Sequence, residues 1–241
     1  MHFHLPKPLH GWREFVGEVG IIVVGVLVAL GAEQLVETWH WQSRADDAFG
    51  AIRRELGNNY AEAVEAASVA PCVDRQLVNL EAALERPDFR VAQLYSDAGA
   101  KFVVRLPSRP WVDYAWRTAS SEGTASHLPE MLRESLPALY AQVAIMERNA
   151  RETDVIAWRL RALTSPVDAI ARARAIESIE ELRGHVEYMA LVANQLMGRA
   201  DSIGLTPVAR AVSDSMHQSG TVTFCRAHGI ALGRPSPQDP S

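Results

Sequence analysis

The first regularity along the chain is an apolar run without a charge, Val19 to Ala32, VGIIVVGVLVALGA, closed by Glu33. After Trp41 the pattern changes. Ala45, Ala48, Phe49, Ile52, Leu56, Tyr60, Ala63, Val64 and Ala67 recur at three- and four-residue intervals, which predicts an amphipathic helix up to Pro71, continuous with the apolar run. Pro71 then reads as the start of a second helix through Val73, Leu77, Leu80 and Leu84, stopped by Arg86-Pro87. A short helix is expected from Arg90 to Asp97. Lys101 to Leu106, KFVVRL, is strand-like but has no partner, so it reads as an extended connector.

Ser108-Arg109-Pro110 reads as a helix start, with Trp111, Tyr114, Ala115 and Thr118 on one face and an end near Gly123. A long helix is expected from His127-Leu128-Pro129-Glu130 to Leu163, kinked or divided at Pro137. Thr164-Ser165-Pro166 marks a stop and restart, with Ser165 as N-cap, and the next helix runs by Ile170, Ile176, Ile179, Leu182, Val186, Met189, Ala193 and Leu196 to Gly204. These two helices, joined by a tight turn, predict an antiparallel hairpin. Thr206-Pro207 opens a last short helix to about His217. The fold class that follows is all-α: an N-terminal transmembrane helix continuing into an elongated antiparallel helical bundle. The expected divisions are a cytoplasmic tail 1–13, a transmembrane helix 14–36, an exported helical domain 37–218 and a loose C-terminal tail 219–241.

The apolar run admits three readings: membrane anchor, cleavable signal peptide and soluble core helix. Its 14 residues cover only about 21 Å of helix, but extension from Phe15 to Val36 gives roughly 33 Å, enough for a hydrocarbon core of about 30 Å. That extension takes Glu18 and Glu33 inside the edges. The aliphatic residues contribute roughly −4 kcal/mol to insertion, against about 2.5 to 3.5 kcal/mol for a carboxylate at the bilayer centre and less near the interface. Trp12 before the segment and Trp39 and Trp41 after it match the two interfacial belts, which favours the anchor. The rival signal peptide would be cut after Ala29-Leu30-Gly31. Lys7 and Arg13 on the N-terminal side, with no Lys or Arg on the other until Arg44, keep the short tail cytoplasmic and export the rest. The remaining chain is then expected to be periplasmic or extracellular, on a single-pass anchor.

Glu18, Gly25, Ala29, Ala32 and Val36 fall within about 40° of one line on that helix, and Gly25 with Ala29 forms a small-xxx-small pair. This face is the candidate for helix–helix association, with a second copy or another membrane protein as partner. The alternative is that small residues are simply common in membrane helices and Glu18 snorkels to the headgroups.

Glu18, the run Val23-Val24-Gly25-Val26-Leu27-Val28-Ala29-Leu30, then Trp39, Glu55-Leu56 and Asn58-Asn59 together resemble a family of uncharacterised bacterial single-pass membrane proteins. The similarity covers about the first 60 residues, and Gly31-Ala32-Glu33-Gln34 stands where those proteins commonly place Gln and Asn. The resemblance implies an N-terminal anchor and a helical domain. It carries no activity.

Net charge −5, with 48% hydrophobic and 22% charged residues, describes an ordinary globular domain plus an anchor. No Lys/Arg-rich run points to nucleic acid. Two cysteines, Cys72 and Cys225, permit one disulfide in an exported domain, the alternative being two independent thiols. His2, His4 and His10 lie in the N-terminal tail, where nothing fixes a metal geometry. Glu181 with His185, and Cys225 with His228 and the upstream His217, are the nearest approaches to metal ligands, and a solvated helix face accounts for the first pair more simply. Trp111 and Trp116 suggest either a ligand platform or core plugs. Ser120 and Ser121 have no evident base beside them, and no phosphate loop, nucleophile elbow or His-Glu-x-x-His is present. Nothing in the sequence calls for a cofactor or a catalytic residue. The expected role is non-catalytic binding or scaffolding, the alternatives being an exported helical enzyme or metal protein, and a secreted binding protein.

Overall fold

The computed structural model describes residues 11–86, 104–161, 163 and 167–235. The protein is all-α, with no strand among the described residues. Its helices are α1 (Trp12–Leu84), α2 (Tyr114–Ser121), α3 (Glu130–Arg161), α4 (Ala169–Ser202), α5 (Ala209–Gln218) and α6 (Gly220–Ala227), with a 3-10 turn at Thr124–His127. Two compact units result, Met1–Asp47 and Ala48–Ser241, and α1 contributes to both.

Within the first unit α1 is apolar and uncovered. By length and composition it is able to cross a membrane, and none of its most apolar window is buried. Ile21 is 76% exposed and Leu27 62%. Ten aliphatic side chains between Val16 and Leu30 stand about half exposed or more. At roughly 1 kcal/mol for each half-exposed chain, their removal from water is worth about 10 kcal/mol.

In the second unit, α1 from residue 48 onward packs with α3 and α4. Val69, Val73, Leu77, Leu80 and Leu84 meet Ile156 and Leu160 of α3 and Ala175, Ile179, Leu182 and Val186 of α4, with Val222 of α6. Polar pairs fix the directions. Tyr60 bonds Asp201 at 3.2 Å and Arg183 bonds Asp74 at 2.9 Å, so α1 and α4 are antiparallel. Asn149 grips the His185 carbonyl at 3.0 Å and Arg159 pairs with Glu181 at 2.8 Å, so α3 and α4 are antiparallel as well. The expected hairpin is therefore present.

Three local expectations are corrected. Pro71 does not open a new helix but lies inside α1. Its missing N–H disturbs the carbonyls one turn back, and the Gly233 N–H, arriving from the C-terminal segment, donates to the Ser68 carbonyl at 2.7 Å. A Cβ on Gly233 would lie 3.2 Å from the Ala67 carbonyl oxygen, so glycine permits this close approach. Secondly, the stretch expected to be a loose tail contains α6, whose Thr221, Val222 and Cys225 are buried. Its N-cap, Ser219, accepts from the Val222 N–H at 3.1 Å. Thirdly, Ser108-Arg109-Pro110 does not start a helix: α2 begins at Tyr114, and residues 105–113 before it carry no regular secondary structure.

Pro137 sits inside an undivided α3, and α4 is capped by Asp168, which accepts from the Ala171 N–H at 2.7 Å. The expected cap at Ser165-Pro166, the short helix from Arg90 to Asp97, most of KFVVRL and the His2, His4 and His10 tail lie outside the described residues.

Candidate functional site

One face of α1 carries Glu55, Asn59, Glu62, Glu65 and Gln76, polar residues confined to about a third of the helix circumference. A polar stripe of this kind would ordinarily face water. Here it receives the connector 104–113, which runs along α1 in the opposite direction as an extended strap. The lengths agree: 17 residues of helix from Asn59 to Gln76 rise about 26 Å, and the seven steps from Arg105 to Val112 reach about 25 Å when extended. Pro107 and Pro110 hold their own φ near the extended range and push Leu106 and Arg109 the same way.

The rungs of this ladder are side chain to backbone. Gln76 accepts from the Arg105 N–H at 2.8 Å and donates to the Arg105 carbonyl at 3.4 Å. Thr221 of α6 donates to the Leu106 carbonyl at 2.8 Å. Asn59 donates to the Val112 carbonyl at 2.7 Å and accepts from its N–H at 3.2 Å. Glu55 accepts from the Ala115 and Trp116 N–H groups at 2.8 and 3.4 Å and from the Tyr140 hydroxyl at 2.7 Å. Asp113 makes no side-chain cap, so a carboxylate from another helix supplies the negative charge that the start of α2 prefers. Burial and the Glu55 carboxylate both push the Tyr140 phenol well above its usual range.

Midway, the strap is pinned by charge. Arg109 Nε lies 2.9 Å from Glu65, and its Nη2 donates to the Ser215 carbonyl at 2.7 Å. The buried Glu65 also accepts from the Ser219 hydroxyl at 2.6 Å. Glu62, one turn away and half-buried, has an oxygen without a hydrogen-bond partner. Burial pushes its carboxyl up to about 7; Arg109 opposes the rise and Glu65 adds to it.

Between strap and bundle lies a half-open cavity of about 440 Å³, within the range of small-molecule sites. Its wall is mainly apolar, formed by Val69 and Val73 of α1, Pro107, Pro110 and Trp111 of the strap, and Met189 of α4. The α3 side is polar, with Glu147, Arg151, Thr153 and Asp154. Trp111 is buried and lines this space, whereas Trp116 stacks on Tyr140 at 5.4 Å and serves packing. On the other side of the strap, an open groove is lined by Arg53, Arg54, Asn58, Glu62, Arg109 and Pro207 among others.

The residues singled out from the sequence are not brought together at this cavity. Glu18, Gly25, Ala29 and Ala32 all lie on the exposed surface of α1. Cys72 and Cys225 form a disulfide with a Cα separation of 6.0 Å, which ties α6 to α1 beside Pro71 and removes Cys225 from any metal. His228 Nδ1 lies 2.9 Å from the Phe224 carbonyl and its ring stacks on Phe224. Glu181 is engaged by Arg159, and His185 Nδ1 lies 2.5 Å from Asn149 Oδ1, an acceptor that requires the proton on that nitrogen. Among the described residues no three His, Cys, Asp or Glu side chains are placed to hold a metal ion. Ser120 and Ser121 are exposed, and Ser121 donates to the Thr118 carbonyl.

The strap anchors were not distinguished from solvated residues in the sequence. Glu55 and Asn59 were noted only within the resemblance, and the remaining signal was helical spacing along a second face of α1. Comparison with family models, curated proteins and solved structures finds no match for the chain.

Proposed function

We propose that this is a single-pass protein of the bacterial inner membrane, with its N-terminus cytoplasmic and its helical domain periplasmic, and that it acts by binding a small, largely apolar molecule beneath the strap. The cavity carries the reading. A half-open space of about 440 Å³, with an apolar wall on one side and a few polar groups on the other, has the size and character of a small-molecule site. The disulfide fits an oxidising compartment and so supports export of the domain. The Glu18, Gly25, Ala29 and Ala32 face is assigned to contact with a second copy.

The binding reading is tested with the full chain in lipid nanodiscs, titrated with 1-adamantanemethanol, a compact neutral alcohol, against empty discs. Binding with Kd of about 0.1–1 mM is expected, equal to roughly −4 to −5.5 kcal/mol, and lost in Ala150→Trp, which fills the cavity from α3. No binding to the parent, or equal binding to the filled variant, overturns the reading. Placement is tested by cell fractionation with protease access from outside. Soluble protein beginning at Ala32 would overturn the anchor.

A further inference from the structure

Resting on the binding reading above, we propose that the cavity prefers an organic cation, a compact apolar body bearing an amine. The preference follows from the charges that line it. Arg109 is committed to Glu65 at 2.9 Å. Along α3, Glu147, Arg151 and Asp154 follow at four- and three-residue intervals, so one guanidinium stands between two carboxylates. Arg151 is engaged by Glu147, and Asp154 makes no hydrogen bond or ion pair among the described residues. Among the described lining residues, Arg151 is thus paired with Glu147 and Arg109 with Glu65 behind the wall, and Asp154 is the charge left without a partner.

Thr153 is 5% exposed and its hydroxyl has no hydrogen-bond partner, leaving a group able to accept from an ammonium or to donate beside Asp154 at the cavity wall. Two of the four strap residues 107–110 are proline, so this wall offers more carbonyl acceptors than N–H donors. Trp111 adds a buried aromatic ring, a favourable surface for an ammonium. An ammonium ligand brings the positive charge and the donors that the unpaired Asp154 carboxylate can accept. A carboxylate ligand would bring a second negative charge.

The test compares 1-adamantanemethylamine, 1-adamantanemethanol and 1-adamantanecarboxylate on the full chain in zwitterionic nanodiscs, with empty discs subtracted. The amine is expected to bind about fivefold more tightly than the alcohol, the effect of one partly screened ion pair, and the carboxylate more weakly than either. Asp154 is exposed and unpaired, so Asp154→Asn preserves the fold, as far-UV circular dichroism will check. In that variant the amine should lose its advantage over the alcohol, and Asp154→Glu should keep the preference. Equal binding of amine and alcohol by the parent, or an amine advantage that survives Asp154→Asn, overturns the cation preference and leaves the apolar site standing. Absence of binding by all three compounds overturns both.

Discussion

Glu62 makes stability depend on pH in a direction opposite to that of an ordinary paired carboxylate. Its carboxyl rises from 4.5 to about 7 on folding, first through burial, with Glu65 adding to the rise and Arg109 opposing it. Between those values the folded chain keeps a proton that the unfolded chain has released. Stability therefore falls as pH rises across that window and is level above it. At about 1.36 kcal/mol per pH unit the full difference is roughly 3 kcal/mol, which solvent screening of a half-buried group reduces to about 1–2 kcal/mol. Glu62→Gln removes the titration while keeping the shape. The assay is thermal unfolding of both chains in nanodiscs, followed by circular dichroism from about pH 4.5 to about pH 8. The parent should lose about 2–8 °C of Tm relative to the variant between the two ends. Curves that stay parallel, or a parent that gains on the variant with rising pH, would refute the assignment.

Three further outcomes are expected. Glu55→Gln removes the charge at the start of α2 and sets an amide donor against the Ala115 N–H or the Tyr140 hydroxyl, so it should cost about 2–4 kcal/mol in denaturant titrations; an unchanged midpoint would show that the strap is held without it. Cys225→Ser opens a bridge spanning 153 residues, for which chain entropy gives a loss of up to about 5 kcal/mol, read as a lower Tm that reductant no longer alters in the variant. Gly25→Leu places its side chain where no atom lies within 4 Å of the new Cβ, so α1 should be unaffected while crosslinked oligomer in membranes declines; the same oligomer in parent and variant would remove that face from self-association.

The stability of the strap also explains why a long connector can shape a cavity. Each rung satisfies a partly buried backbone group, and the rungs are spaced so that helix rise and extended chain keep step. Movement of the strap would expose Asn59, Glu55 and Glu65 to partial loss of partners at once, so it is expected to open as a unit.

The sequence alone determined the long helices, though not α6 or the continuity of α1 through Pro71, because hydrophobic periodicity at Ile52, Leu56, Tyr60 and Ala63 or at Ile179, Leu182, Val186 and Met189 reports local geometry that needs no distant partner. It determined the α3–α4 hairpin for the same reason, and it marked the apolar run of α1 as able to cross a membrane. Chain breaks were read less well wherever distant groups decided them. Pro71 stays helical with Gly233 bonded to the neighbouring Ser68 carbonyl, and α2 starts late because Glu55 caps it from another helix. Only the tertiary structure distinguished Asn59, Glu65 and Gln76 from solvated residues. A polar side chain has the same helical spacing whether it faces water or an extended strap; what settles the matter is a backbone about thirty to fifty residues away for Gln76 and Asn59, and the Arg109 and Ser219 side chains for Glu65.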